Sequence, residues 1–358
     1  EVSAASSDTL FRQNSNSFDE TASSMSTRFP TAITGSSVSF TEREAETAAD
    51  MFSRHAHYLG LNSHEAVEVL GCLDALRDSD VGIEATVDQA GRRLHALHRV
   101  RELEKRANIA IDVSGEELLW ATHCETGDAI IDAILNRTDG KISGQSSSSS
   151  VTWRDLRVLG VPIWLRNDVT LKSLLDKAAR DSFARTKDPE SCALLFVSLG
   201  RTSVLAGLYK AKKDQKMFEF LSRDFKEKRH QEAALKNAYA LLSKHRYELA
   251  ATFFALAGQF EDAANICLKH LNDVSLSVAI LRCFSPISSK INIDGSYNAD
   301  SEVSKFIRAE IFEDRENDLK RSKDMSLDEK WRIAAFRWIS GDFEKSVSLL
   351  SHLVCGVD

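Results

Sequence analysis

The sequence predicts an all-α protein, an irregular α-solenoid of stacked helical hairpins. Three observations support this fold class. The 358 residues include only 4 prolines and 16 glycines, and so few helix breakers favour long helices over many short strands. The strong apolar patterns repeat about every 3.6 residues, and none has the alternation of a half-buried strand. Two stretches, at 256–268 and 339–351, also share one scheme for a helix pair.

Changes in composition divide the chain into six predicted segments. A Ser-rich stretch without apolar periodicity cannot bury enough surface to offset its ordering entropy, so it is expected to stay flexible unless a partner orders it. The segments are a Ser-rich flexible arm or linker (1–39), an N-terminal helical segment (40–140), a Ser-rich loop (141–151), a core helical-hairpin solenoid (152–284), a polar loop with a charged helix (285–325) and a terminal helical hairpin (326–358).

Helix starts are marked by capping boxes, in which a Ser or Thr and an acidic residue three positions later satisfy backbone donors of the first turn. Four such pairs occur: Thr41 with Glu44, Ser114 with Glu117, Thr152 with Asp155, and Ser326 with Glu329. Asp188 before Pro189 predicts a further start, because proline is favoured in the first helical turn. Apolar spacing predicts other helices at about 63–77, 80–106 and 168–183.

The repeated scheme predicts how neighbouring helices pack. Gly258 and Gly341 each end a helix, and Phe260 and Phe343 follow two residues later. Glycine supplies the left-handed turn that reverses the chain. Small side chains let helix axes approach closely, and the first copy has four of them, Ala250, Ala251, Ala263 and Ala264. Stacked pairs of this kind form a solenoid that works by presenting surface.

Residues 249–257 are apolar nearly all round, which predicts a buried central helix. That helix is too short to cross a bilayer, and the sequence contains no run of about 18 apolar residues, so no transmembrane segment is predicted. No signal peptide is recognised. Because the chain opens at Glu1 and not at methionine, we expect it to be a piece of a longer protein.

The overall charge argues against two classes of partner. The formal net charge is −7 and the sequence pI is about 5.9, whereas general affinity for nucleic acid or anionic lipid needs a basic surface. The six cysteines are scattered and form no C-x-x-C pair, which favours a reducing compartment over a secreted disulfide scaffold.

No motif for catalysis or metal binding is complete. The stretch LGRTSVLAG resembles a phosphate-binding loop, but Leu195 stands where the first glycine is required and no strand pattern precedes it. His55 and His57 would face apart on a helix and have no further ligand at metal spacing. The sequence therefore predicts a protein that is not an enzyme and that holds no cofactor or metal.

Three groups of residues are candidate partner contacts. They are Lys244, His245, Arg246 and Tyr247; Trp164 and Arg166; and Lys226, Lys228 and Arg229. The first group lies at a turn between two predicted buried helices, where basic residues equally complement a helix C-terminus. In the second group an aromatic residue beside an arginine is typical of an interface hot spot, although a Trp after a turn also locks a core. The third group is a basic turn that fits solvent or an acidic partner.

The core stretch AALKNAYALLSKHRYELAATFFALAGQFEDAANICLKHLNDVSLSVAI (233–280) resembles the DmX-like/rabconnectin family, which includes the large subunit of the RAVE complex. Further blocks resemble the same family: FTEREAETAADMF, VTWRDLRVLGVPIWLRND, KDPESCALLFVSLGRTSVLAGLYK and WRIAAFRWISGDFEKSVSLL. The resemblance runs from about Phe40 to Leu353 and is densest at 152–283. The WD-repeat propellers that precede this region in the family are absent, and the Ser-rich and polar segments at 1–39, 141–150 and 285–302 match nothing.

The resemblance implies a scaffold for assembly of the proton-pumping V-ATPase. Family members bind this ATPase and promote reassembly of its cytosolic sector with its membrane sector, together with smaller adaptor subunits. A cytoplasmic protein recruited to vacuolar, endosomal or other acidic-organelle membranes is therefore expected. The alternative is a vesicle coat or tethering scaffold, because such proteins also combine propellers with α-solenoids.

Overall fold

The computed structural model describes residues 42–78, 86–105, 113–135, 151–284, 290–312 and 326–355. These residues form eighteen α-helices and contain no strand beyond one isolated bridge between Ile291 and Tyr297. The predicted all-α class is confirmed. The Ser-rich arm, the Ser-rich loop up to residue 150 and the Thr41 end of the first capping box lie outside the described residues.

The helices follow one another in three runs. The first run comprises α1 (Glu42–His55), α2 (Ser63–Asp78), α3 (Gln89–Lys105), α4 (Gly115–His123) and α5 (Gly127–Leu135), with a 3₁₀ turn at Ala56–Tyr58. The second run comprises α6 (Trp153–Val158), α7 (Val161–Trp164), α8 (Asp168–Thr186), α9 (Glu190–Ser198), α10 (Thr202–Ala211), α11 (Gln215–Leu221), α12 (Lys228–Leu242), α13 (Tyr247–Leu256), α14 (Phe260–Leu271) and α15 (Val274–Phe284). The third run comprises α16 (Glu302–Phe306), a π-helical turn at Ile307–Phe312, α17 (Leu327–Ile339) and α18 (Phe343–Cys355).

Most predicted helix starts are present. The capping boxes of Ser114, Thr152 and Ser326 each form both of their hydrogen bonds. The predicted start at residue 80 lies outside the described residues, and the predicted continuous helix is wrong at Val87 and Asp88, which are not helical and precede the start of α3 at Gln89. The Asp88 carboxylate accepts a hydrogen bond from the Gly91 backbone N–H at 2.9 Å, which caps the helix at this later position.

Five turns between helices have the same backbone geometry. In each, a residue with positive φ lies two residues before the next helix and its N–H donates to the carbonyl three residues earlier, at Gly200, Lys213, His245, Gly258 and Gly341. At the α13–α14 turn, Gly258 N donates to Ala255 O and Gln259 N donates to Phe254 O, both at 3.0 Å. This paired closure is the Schellman motif. Lysine and histidine occupy two of the five positions. The expectation that glycine marks these turns therefore identifies only three of them.

Alanines allow close packing of the central hairpin, as predicted. The side chains of Ala250, Ala251, Ala263 and Ala264 are all 0% exposed. In the terminal hairpin, the positions that correspond to Ala251 and Ala263 are Ala334 and Ser346, which are also 0% exposed. The Ser346 hydroxyl donates to the Ala334 carbonyl at 2.8 Å. The two hairpins therefore share one packing register in which only a small side chain fits.

This register predicts opposite outcomes for two substitutions at one site. Ala263→Leu is expected to lower the free energy of unfolding by about 1–3 kcal/mol, because extra methylenes in a close-packed core force neighbours apart. Ala263→Ser is the matched control and is expected to change it by less than about 1 kcal/mol, since serine occupies the corresponding position 346. Urea denaturation of both variants measures the difference. Equal stabilities would show that the α13–α14 contact is not tightly packed.

One long-range contact joins the first run to the third, and another joins the loop before α16 to the second run. Gly115 N at the start of α4 donates to the Asp328 carboxylate on α17 at 2.6 Å, and a Cβ at Gly115 would lie 2.3 Å from backbone atoms of α17. Tyr297, in the loop before α16, is 1% exposed and its hydroxyl donates to the Ile163 carbonyl at 2.7 Å. The predicted polar loop thus contains a core residue that ties it to α7.

Candidate interaction surface

The turn between α12 and α13 carries the predicted contact residues Lys244, His245, Arg246 and Tyr247. The first three are exposed and Tyr247 is half-buried. His245 takes a left-handed conformation, with φ of 58°, which turns the chain and brings its ring within 2.7 Å of the Tyr247 hydroxyl. The Tyr247 ring stacks on His270 at the end of α14, with ring centroids 4.4 Å apart. The turn therefore presents an aromatic pair beside a basic stretch.

Further turns reach the same edge of the helical stack, which we call the corner edge and define by Asp188, Glu190, Lys212, 244–247 and His270. The Arg246 guanidinium pairs with the Glu190 carboxylate at the start of α9. The Lys212 ammonium lies 2.9 Å from the Asp188 carboxylate. The hydrogen bond from Lys212 lowers the pKa of Asp188, and the hydrogen bond to Glu190 raises the pKa of Arg246. Because these groups are largely exposed, the pairs contribute little to stability.

The exposed ammonium of Lys244 differs from these paired cations. It has no ion pair within the part of the chain that the structure describes. Its charge is therefore available at the corner edge, beside the stacked aromatic pair. This arrangement fits a polar interface rim, where charge influences the rate and orientation of association more than affinity.

A cleft of about 370 Å³ opens next to the corner edge. It is lined by Trp153, Arg157, Ser182, Glu190, Ser191, Leu194, Leu195, Glu248, Leu271, Asp273 and Leu276. On one wall, the Trp153 indole N–H donates to the Asp273 carboxylate at 2.9 Å, and Arg157 lies 3.4 Å from that carboxylate. Asp273 also caps α15 by accepting from the Leu276 N–H at 2.8 Å. This wall is held rigidly by residues about 120 positions apart in sequence.

Trp164 is placed differently from the corner residues. It is 2% exposed, and its indole N–H donates to the Leu159 carbonyl at 2.8 Å. A Cβ atom placed on Gly127 would lie 3.0 Å from the Trp164 ring, so the ring packs closely against the start of α5. These contacts favour the alternative in which Trp164 locks the core. Arg166 is half-buried, and one of its nitrogens lies 3.4 Å from the Thr122 carbonyl.

The predicted basic turn lies away from the corner edge. Lys226, Lys228 and Arg229 are exposed, and Arg229 forms a 2.8 Å ion pair with Glu227. These residues lie at the start of α12, whereas the corner lies at its end, about 22 Å away by helix rise. The structure therefore does not unite the two basic groups into one surface.

The described residues contain neither a membrane-spanning helix nor a cluster of metal ligands. No helix within the described ranges is both long and apolar enough to cross a bilayer. Among the same residues, no group of three or more His, Cys, Asp or Glu side chains is arranged to hold a metal ion.

Comparison with known proteins decides the family. The family model described as "RAVE protein 1 C terminal" matches residues 2–293, which is most of the chain. This chain belongs to the RAVE protein 1 C-terminal family. The resemblance inferred from the sequence blocks is confirmed. The match begins earlier than expected, within the Ser-rich arm, and ends before the closing helices of α17 and α18.

Curated relatives of this RAVE protein 1 C-terminal chain come from animals and fungi. DmX-like protein 1 of Mus musculus is 31% identical over 247 residues, covering 64% of this chain and 8% of the relative. Regulator of V-ATPase in vacuolar membrane protein 1 of Schizosaccharomyces pombe is 29% identical over 238 residues, covering 65% and 17%. The Saccharomyces cerevisiae protein of the same name is 29% identical over 230 residues, covering 63% and 16%. The chain thus spans less than a fifth of the length of these relatives.

Proposed function

We propose that this chain is part of a non-catalytic scaffold that binds V-ATPase and promotes assembly of its cytosolic sector with its membrane sector, which supports acidification of organelles. The observation that carries the proposal is the long match to two fungal proteins named as regulators of V-ATPase in the vacuolar membrane. The scaffold acts in the cytoplasm and is recruited to acidic organelles through its partners. These partners are V-ATPase subunits and smaller adaptor subunits.

The fold supports a role in binding. Close-packed hairpins form a stiff body, and the corner edge and cleft occupy adjoining parts of its surface. A stiff body that holds two partners raises their effective concentration, so individual contacts remain weak and reversible. Lys244, His245, Arg246 and Tyr247 are proposed as partner contacts, and the exposed Lys226, Lys228 and Arg229 form a second, separate contact.

The proposal predicts which proteins the chain captures. Immobilised chain incubated with Saccharomyces cerevisiae extract is expected to retain cytosolic-sector V-ATPase subunits, identified by mass spectrometry. Lys244→Glu reverses an exposed charge at the corner edge and is expected to reduce this recovery several-fold, because one reversed rim charge changes binding by about 1 kcal/mol. Lys216→Glu is the matched control, since Lys216 is exposed on α11 outside the corner edge. It is expected to leave recovery unchanged.

Two results would contradict this function. Recovery of coat proteins or small-GTPase machinery without V-ATPase subunits would favour the vesicle coat or tether. ATP hydrolysis by the purified chain above background would contradict the non-catalytic role.

A further inference from the structure

The cleft beside the corner edge has two chemically different parts. Leucines from three helices, Leu194, Leu195, Leu271 and Leu276, form its apolar part together with the Trp153 ring. Three carboxylates, one guanidinium and the side chains of Ser182 and Ser191 form its polar part. A volume of about 370 Å³ is at the lower end for a ligand pocket and is suited to a few side chains.

Partners within the fold account for two of the three carboxylates. Asp273 is held by Arg157, by the Trp153 indole and by the N–H of Leu276. Glu190 is paired with Arg246 at the corner edge. Neither carboxylate requires a cation from outside the chain.

Glu248 is the third carboxylate and differs from the other two. Within the described part of the chain, its carboxylate has no ion pair and no hydrogen bond. Burial of the carboxyl group raises its pKa, and the negative charge of Asp273 raises it further, although the residue as a whole is exposed at the rim. A cation that pairs with Glu248 would therefore offset both the burial of its charge and its repulsion by Asp273.

We propose that the cleft binds a segment of a partner protein in which an arginine or lysine is flanked by large apolar residues. The cationic group pairs with Glu248, while the flanking side chains contact the leucines and Trp153. Charge complementarity selects this occupant, because an acidic segment would add a further negative charge between Glu248 and Asp273. The leucine wall disfavours a segment that carries charge alone, since it leaves apolar surface in water.

This inference deepens the proposed function by naming the chemistry of one partner contact. It rests on that function only for the statement that the partner is a V-ATPase subunit or an adaptor. The cleft itself can be tested with peptides and purified chain. Failure of the peptide experiment would contradict the cleft, and the extract experiment above would still decide the function.

The test uses a fluorescein-labelled peptide of alternating leucine and arginine, and two sibling peptides with glutamine or glutamate in place of arginine. Fluorescence anisotropy is expected to show that the arginine peptide binds most tightly. Glu248→Gln is expected to weaken its binding about tenfold, which corresponds to about 1.4 kcal/mol. The same substitution should leave the glutamine peptide unaffected. Acidification should weaken binding to the unsubstituted chain and not to the variant, because burial raises the pKa of Glu248 and its protonation removes the same charge.

Glu232→Gln is the matched control, because Glu232 is an exposed carboxylate on α12 outside the cleft lining. It is expected to leave binding of all three peptides unchanged. Circular dichroism and the melting temperature confirm that both variants are folded. Equal binding of the arginine peptide to Glu248→Gln and to the unsubstituted chain would overturn the proposal. Equal binding of the arginine and glutamine peptides, or no binding at about 1 mM, would also overturn it.

Discussion

Replacing Glu117 with alanine is expected to lower the free energy of unfolding by about 3 kcal/mol. Glu117 on α4 is 2% exposed, and its carboxylate lies 2.6 Å from the Arg101 guanidinium on α3. The same carboxylate accepts the Ser114 N–H at 3.1 Å, while Arg101 donates to the Val158 carbonyl at 2.6 Å. The ion pair between Glu117 and Arg101 thus joins α3, α4 and the end of α6. Its removal leaves a buried guanidinium without this counter-charge.

The expected loss is at the lower end of the range for a broken buried pair, about 3–5 kcal/mol. Asp328 and Glu102 also lie near Arg101 and oppose the lowering of its pKa by burial, so part of the compensation remains. Glu116→Ala is the matched control on the same helix, because Glu116 pairs with Arg93 at 3.1 Å in a more exposed position. Its expected cost is at most about 1 kcal/mol. Similar costs for the two variants would contradict the role assigned to Glu117.

The measurement is chemical denaturation at several pH values, where Glu117 has a defined signature. Burial alone would raise the pKa of Glu117, but His98, 3.6 Å away, and Arg101 outweigh burial and hold it below the ordinary value of 4.5. A carboxyl group with a lowered pKa stabilises the fold fully above its unfolded pKa and loses this effect as the pH falls through the folded pKa. The stability difference between the unsubstituted chain and Glu117→Gln should therefore shrink as the pH falls below about 4.5.

The region around Glu117 shows which contacts can be predicted from sequence. Its capping box with Ser114 was predicted, because both partners lie within four residues and the hydrogen-bonding geometry is local. The ion pair with Arg101 was not predicted. It depends on how α3 packs against α4, and the spacing of charges along α3 does not specify which arginine faces inward.

The candidate interaction surface also combines local patterns that can be predicted from sequence with long-range contacts that cannot. Lys244, His245 and Arg246, which are exposed, and the half-buried Tyr247 could be predicted as a candidate contact, because basic residues beside an aromatic at a helix end form a local pattern. The pairing of Arg246 with Glu190 spans 56 residues and depends on packing between α9 and α13. The cleft was missed for the same reason, since Trp153 and Glu248 come from separate helices and meet only in the folded chain. The one local signal was Asp273, whose position before VSLS is typical of a helix cap.

The role of Trp164 is one that the sequence alone does not decide. An aromatic residue followed by an arginine fits both an exposed hot spot and a core anchor. The deciding contact is the hydrogen bond to the Leu159 carbonyl, which forms because Gly160 adopts positive φ of 61° and turns α6 into α7. The turn that precedes Trp164 was expected from the sequence, but the direction of the indole ring after that turn was not.

Trp164→Ala is expected to lower the free energy of unfolding by about 3–5 kcal/mol, because it removes the largest side chain from a close-packed region and leaves a cavity. It also leaves the Leu159 carbonyl without its indole donor. Trp164→Phe retains much of the volume and loses the hydrogen bond, so a smaller loss is expected. Thermal and urea denaturation of both variants measure these costs.

Tyr247→Ala separates this core role from a role in binding. Tyr247 is half-buried and stacks on His270, so its removal should cost less stability than the removal of Trp164. At a temperature where both variants remain folded, Tyr247→Ala should reduce recovery of V-ATPase subunits, whereas Trp164→Ala should not. The reverse result, with a stable Trp164→Ala that fails to capture its partner, would mean that the indole is turned outward to bind. In that case, α7 would belong to the interaction surface and not to the core.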